Sequence, residues 1–323
     1  MTDQGRRRTD TDSGGPALVA VAHGSRDPGA LRTVDALLDR VRALRPDLDV
    51  RLGNMEIDRP ALSDTLAQLR GEAVLVPLLL GRGHHVKHDI PHVLATAGGH
   101  LRARVAAPLG PHPLLAEALH ARLIEAGWPG EPAGARATET APATDAALST
   151  DTERAADTAL STDTERAADT AHSTEAAHST EAAQSTEAAL STETARSLAV
   201  VLAAAGSRDP AAAAGTRRTA RLLSARLGGV PVVPAYASAA SPTVPDALRA
   251  LAARGRHRVA IAAYFTAPGR FAAQCAAQAP WVAAAPLGAH PAMAELVLRR
   301  YAQELTPHAA LRDPRADSVL ARV

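Results

Sequence analysis

Cysteine is nearly absent from this chain of 323 residues. The single Cys275 excludes an internal disulfide framework and any cysteine-based zinc or iron–sulfur site built within one chain, and inert packing is its expected role. Aromatic residues are almost as scarce, with two Phe, three Tyr and two Trp. Cores must therefore be filled by Leu, Val, Ile and Ala, and the stacking surfaces that nucleic-acid binding draws on are in short supply. Lys87 is the only lysine. No stretch approaches ~20 uninterrupted apolar residues, so no membrane span is expected. The opening MTDQGRRRTDTDSGG has no apolar segment of the kind a secretory signal needs. The expectation is a cytoplasmic protein with neither a membrane nor a nucleic acid as partner.

What the sequence does have is length, apolar content and uneven charge. The chain exceeds one average domain, and 46% hydrophobic residues suffice for real cores. The net charge of +1 hides an asymmetry: residues 131–196 carry 13 acidic and 4 basic side chains, residues 197–323 carry 15 basic and 6 acidic. A basic C-terminal half should attract anions, and a small polyanionic ligand fits at least as well as nucleic acid. The acidic segment declares itself by repetition. ALSTDTERAADT occurs twice in succession from Ala147, followed by variants of AHSTEA up to Thr194. With Leu148, Leu160 and Leu190 as its only large apolar residues, it cannot offset its ordering entropy. It is expected to be a disordered or weakly helical linker without chemistry.

On either side of the linker the pattern is strand, turn, helix, repeated. ALVAVA at 17–22 reads as a strand covered on both faces. A helix near 29–44, a strand near 49–55, a helix near 61–70, a strand at 73–80, a helix near 88–97, a strand near 103–108 and a helix near 113–126 follow. The second half repeats the first: AHGSRDP at 22–28 corresponds to AAGSRDP from Ala204, and APLGPHPLLAE at 107–117 to APLGAHPAMAE at 285–295. This predicts a fused duplication of one α/β domain with a parallel sheet. The expected boundaries are a tail over 1–16, a first α/β domain over 17–130, the linker over 131–196, a second copy over 197–307 and a tail over 308–323; the first is expected to be catalytic and the second degenerate, on the residues weighed next.

Ligands of parallel α/β sheets bind beyond the carboxyl ends of the strands. In the first half His23, Glu56 and the run Arg82 to Asp89 stand there. If the first strand lies between the second and third, as in flavodoxin-like order, His23, Glu56 and a histidine at 84 or 85 face one pocket. Two imidazoles and a carboxylate suit Fe²⁺, Co²⁺, Ni²⁺ or Zn²⁺ and also accept protons near neutral pH. Blander roles exist: Glu56 as a helix cap, Arg26 and Asp27 as a turn, His112 and His290 as structural residues shared by both copies, His88 and His92 as a solvated helix start. The halves differ informatively. Ala205 stands opposite His23, Ser238 opposite Glu56, and Gly269 and Arg270 are read opposite His84 and His85. Folding parts persist in both copies, whereas parts of one active site need persist only once.

VAHGSRDP, MEIDRPAL and PLLLGRGHHVKHDIP together resemble the sirohydrochlorin chelatase family, the small class II chelatases with cobalt- and iron-inserting members. The resemblance covers both halves and leaves out only the tails and the linker. It implies two tandem flavodoxin/Rossmann-like lobes, each a parallel sheet flanked by helices, facing across a cleft. It implies His23 and His85 as metal-binding and catalytic residues, with Glu56 as third ligand or proton acceptor. Ser25, Arg26, Lys87 and His84 are expected to hold carboxylates of sirohydrochlorin, and the basic second half, through Arg270 and Arg217, to act as a substrate-holding lid. No tightly bound cofactor is expected. The divalent metal is a substrate, Fe²⁺ slightly favoured over Co²⁺, for sirohaem or cobalamin, and the chain is expected to be a monomer or homodimer. The alternative is a non-catalytic metal or tetrapyrrole carrier using the same ligands. HGSR also resembles the RHG of histidine phosphatases, but there Arg precedes His and here Ala22 does.

Overall fold

The computed structural model describes residues 15–129 and 196–306. The acidic repeat expected over 131–196 and the tails expected over 1–16 and 308–323 lie outside the described residues, apart from Gly15, Pro16 and Arg196. The first half runs β1 (Ala17–Ala22), α1 (Pro28–Leu44), β2 (Val50–Asn54), α2 (Leu62–Gln68) and β3 (Gly71–Pro77). A π-helical turn (His85–Asp89) then leads into α3 (Ile90–Thr96), followed by β4 (Leu101–Val105) and α4 (Pro113–Glu125). The second half runs β5 (Leu198–Ala204), α5 (Pro210–Arg226), β6 (Val232–Tyr236), α6 (Val244–Ala252), β7 (Arg258–Tyr264), α7 (Arg270–Ala276), β8 (Val282–Ala283) and α8 (Pro291–Leu305).

Each half builds one four-stranded parallel sheet, in the orders β2-β1-β3-β4 and β6-β5-β7-β8. The first strand lies between the second and third, which meets the condition on which the three strand ends become neighbours. Every residue of β1 and of β5 is buried, because central parallel strands are covered by helices on both faces and hold no position for a polar side chain. Leu62, Leu66 and Ile90 seal one face of the first sheet, and Val244, Ala247, Leu251 and Cys275 do the same in the second. Burial pushes the Cys275 thiol up, as suits inert packing. Strand three begins and ends earlier than the apolar run 73–80 implies. Its last residues leave the ladder because its neighbour β1 has already ended at Ala22.

The motifs shared by the two halves turn out to be folding parts. In GSRDP the Ser25 Oγ accepts from Asp27 N–H (3.1 Å) and Asp27 Oδ1 accepts from Gly29 N–H (2.8 Å), capping α1. Ser207 and Asp209 do the same for α5. His112 and His290 cap α4 and α8, each Nδ1 accepting a backbone N–H at 3.2 Å. Such caps contribute about 1 kcal/mol each. The halves also hold each other reciprocally. Arg122 donates to the Leu287 carbonyl, and its counterpart Arg300 donates to the Leu109 carbonyl. Tyr264, buried and with its phenol pushed up to about 12 by desolvation, donates to the Leu80 carbonyl of the other half. Among the described residues no helix is long and apolar enough to cross a membrane.

Candidate functional site

The backbone ladder continues past the strand ends and places three loops side by side. Leu78 N–H donates to Val21 O (2.8 Å), Met55 N–H to Ala22 O (2.9 Å) and Glu56 N–H to His23 O (3.1 Å). This brings the Glu56 loop against Gly24, which has φ +91; a Cβ there would stand 1.9 Å from the Glu56 carbonyl oxygen. No other residue fits without moving the loop. Asp58 clamps the same loop, its carboxylate accepting from Ser25 N–H at 2.8 Å. Glu56 does not cap α2, whose N-cap is Ala61.

On the third strand's side the chain enters its helix through the π turn, a local widening that re-aims side chains and recurs at functional sites. His85 opens it. Its Nδ1 lies 2.6 Å from Asp89 Oδ2, one turn on. An ionised carboxylate only accepts, so this contact keeps a proton on Nδ1 and leaves Nε2 as the free lone pair. One ligand atom each from His23, Glu56 and His85 lies within 4.8 Å of the others. The His23 and His85 ring centroids are 4.7 Å apart. At metal–nitrogen distances of about 2.0–2.1 Å, two imidazoles on one ion stand roughly 4.5–5.2 Å apart by centroid, so the pair is spaced for a shared ion. Burial, reinforced by the neighbouring His85 and opposed by Glu56, holds the His23 pKa below its ordinary 6.5. The ring is therefore neutral and able to ligate at pH 7.

His23 and His85 line a cavity of about 1050 Å³ formed by both halves, and Glu56, expected to face the same pocket, lies beside His23 without being one of its lining residues. His23, Ser25, Arg26, Ile57, His84 and His85 line it from the first half. Ser25 Oγ is already engaged by its turn. Lys87 is not among the lining residues; its ammonium pairs with Asp209 of the α5 cap. From the second half come Tyr236, Tyr264, Phe265, Arg270 and Phe271, but not Arg217.

The register between the halves differs by one residue from the sequence comparison. Leu109 N–H donates to Leu79 O as Leu287 N–H does to Phe265 O, and Lys87 N–H donates to Gly83 O as Ala273 N–H does to Gly269 O. Gly269 therefore matches Gly83, Arg270 matches His84, and Phe271, not Arg270, stands where His85 does. Sequence alone does not fix this register, because no hydrophobic period anchors that loop. The other two matches agree with the ladder, since Ser238 N–H donates to Ala205 O as Glu56 N–H does to His23 O. Two features escaped the sequence reading. Asp89 was signalled by its spacing of four from His85 in a helical stretch. The two phenylalanines were signalled only by being the chain's whole supply, both of it spent on one cavity.

Comparison with known proteins gives a consistent set. The CbiX family model matches residues 17–126 and 199–304. The sirohydrochlorin cobaltochelatase of Methanococcoides burtonii is 29% identical over 123 residues, covering 33% of this chain and 94% of its own length. That of Methanosarcina acetivorans is 30% identical over 123 residues, covering 34% and 95%. Each relative thus has about the length of one half. Among solved structures, SirB from Bacillus subtilis with Fe³⁺ superposes with a TM-score of 0.58 at 18% identity, covering 89% of this chain and 94% of that one. CbiX, described as the terminal enzyme for biosynthesis of siroheme in denitrifying bacteria, superposes with a TM-score of 0.54 at 19% identity, covering 88% and 98%. These likenesses extend the shared fold across both halves.

Proposed function

The chain belongs to the CbiX family, and from that premise we propose that it is a metal chelatase inserting a divalent ion into sirohydrochlorin. The observation that carries this reading is the convergence of His23, Glu56 and His85 donors beside a cavity wide enough for a flat macrocycle. Metallation removes two pyrrole N–H protons and forms bonds from the ring nitrogens to the ion. As the ring nitrogens take over the ion, it leaves its two imidazoles, its carboxylate and its water ligands, and two of the protein lone pairs so released take up the two departing protons. Ion and protons are thus handled by the same groups in turn, and Asp89 stabilises the imidazolium formed on His85.

In this reading residues 17–130 hold the chemistry and residues 197–307 hold the substrate. Ala205, Ser238 and Phe271 replace the three donors, so the second half has exchanged ligands for a wall. Phe265 and Phe271 offer faces for stacking on the macrocycle, and Arg270, its guanidinium 4.9 Å over the Phe271 ring, offers charge for a rim carboxylate. Arg26 faces the rim from the other side. Two imidazoles and a carboxylate take Fe²⁺ and Co²⁺ alike; the names of the sequence relatives favour Co²⁺ over the Fe²⁺ that the sequence alone leans to. Anaerobic metallation of sirohydrochlorin, followed by the absorbance change, tests the assignment. His23→Ala and His85→Ala should each reduce it to the uncatalysed rate while circular dichroism stays unchanged. Wild-type turnover in either variant contradicts the proposal.

A further inference from the structure

A second pair of imidazoles stands on the π turn, outside the set just described. His84 and His88 are one turn apart, with ring centroids separated by 4.7 Å. That equals the His23–His85 spacing and falls within the roughly 4.5–5.2 Å expected for two imidazoles on one ion. Both residues are exposed, the His84 side chain to 74%. Neither is needed as a cap: His84 occupies the N-cap of the turn without a side-chain capping bond. Asp89 links the outer pair to the inner set, one oxygen 3.6 Å from His84 Nε2 and the other 2.6 Å from His85 Nδ1. The His84 and His85 centroids are 6.5 Å apart, too far for one ion to hold both rings, so the two pairs make separate sites. Taken in order, His88, His84, His85 and His23 form a file of neighbouring rings, of which the last three line the cavity and His88 does not.

We propose that His84 and His88 form an outer receiving site for a divalent first-row metal ion, from which the ion passes under Asp89 to the inner donors. Its destination rests on the chelatase reading; its existence does not. An exposed pair exchanges water ligands for imidazoles early, and the ion can then change donors one at a time instead of shedding its hydration shell at the cavity.

Anaerobic Co²⁺ titration of the full chain, read by d–d absorption and calorimetry, tests the site. Wild type should bind two Co²⁺ per chain. His84→Ala/His88→Ala and the polar His84→Gln/His88→Gln should bind one, and His23→Ala/His85→Ala should keep one. A wild-type chain that binds one Co²⁺, or an outer double variant that still binds two, overturns the proposal. In metallation assays His88→Ala, which touches no cavity wall, should need severalfold more Co²⁺ for half-saturation and recover its rate at saturation. An unchanged half-saturation overturns the transfer role. If His23→Ala/His85→Ala metallates sirohydrochlorin normally, the inner donor assignment fails, and if wild type does not metallate it the chelatase reading fails, while the outer site still stands or falls on the Co²⁺ count.

Discussion

The duplicated scaffold supplies its own control for the idea that Gly24 positions the donors. Gly24→Ala adds a Cβ 1.9 Å from the Glu56 carbonyl oxygen at φ +91, and Gly206→Ala adds one 1.8 Å from the Ser238 carbonyl oxygen at φ +95. The left-handed backbone costs an L-residue about 1–2 kcal/mol, and relieving the overlap costs about 1–3 kcal/mol more. Each variant should therefore lose roughly 2–5 kcal/mol, which lowers Tm by roughly 5–15 °C for a folded region of this size. Van der Waals distance demands a loop displacement of more than about 1 Å, and a misplacement of that size costs on the order of 10²-fold when it separates reacting groups. In the first half the displaced loop carries Glu56 away from His23. In the second it moves Ser238 away from Ala205, neither of which is a donor. Scanning calorimetry should show similar stability losses, and metallation assays well below both Tm values should show an approximately hundredfold larger rate loss for Gly24→Ala. Equal rate losses, or a Gly24→Ala enzyme that turns over normally, would refute the reasoning.

Asp89→Asn should keep the fold yet reduce metallation by about 10–100-fold, the usual effect of removing a ligand's supporting carboxylate; its pH–rate profile should change shape, which a purely structural loss would not produce. Phe271→Ala should raise KM for sirohydrochlorin while leaving Co²⁺ binding intact, and Arg270→Gln should do the same most strongly at low salt; unchanged KM in both would remove the substrate-wall role. Stability should fall on acidification. His112, His290 and His23 have pKa values lowered from 6.5, chiefly by burial, so the unfolded chain takes up protons first; the stabilisation is full above the ordinary histidine range and is lost as pH falls through the folded values. Tm should decline below about pH 6.5, and a His112→Asn/His290→Asn chain should decline less.

Much of this was legible because parallel α/β architecture leaves few choices. ALVAVA has no polar position, so it must be a central strand, and a central strand fixes where the chain ends that follow it gather. His23 and Glu56 could be placed that way because the turn motif beside one and the proline after the other mark their registers. The stretch after strand three offers no such mark. Its glycines and histidines carry no hydrophobic period, which is why the match of His85 to Phe271 and the contact to Asp89 needed coordinates. Lys87 illustrates a different limit. Its partner Asp209 is 122 residues away, and no local pattern announces a contact that exists only because the two halves pack. The same packing accounts for basic residues that do not face the cavity. Arg300 of the second half reaches across to the Leu109 carbonyl, and within that half Arg258 lies 4.4 Å over the Trp281 ring, so net charge overstated how much of the second half is available to an anion.

The left-handed residues show why comparing the halves discriminates better than either half alone. Ile57 has φ 64 beside the donors, and a β-branched residue in that region is a genuine outlier of the kind that clusters at active sites. Taken alone it invites a catalytic reading of the strain. Ala239, in the corresponding loop of the half without donors, has φ 57. The left-handed step therefore belongs to the loop that follows the second strand in both halves and has nothing to do with metal. What is particular to the first half is the side chain. Ile57 is 58% exposed and lines the cavity, where glycine or asparagine would satisfy the backbone at lower cost. An apolar, exposed, conformationally costly side chain beside the proposed metal donors suits the macrocycle proposed for the cavity, which Phe265 and Phe271 line from the other half.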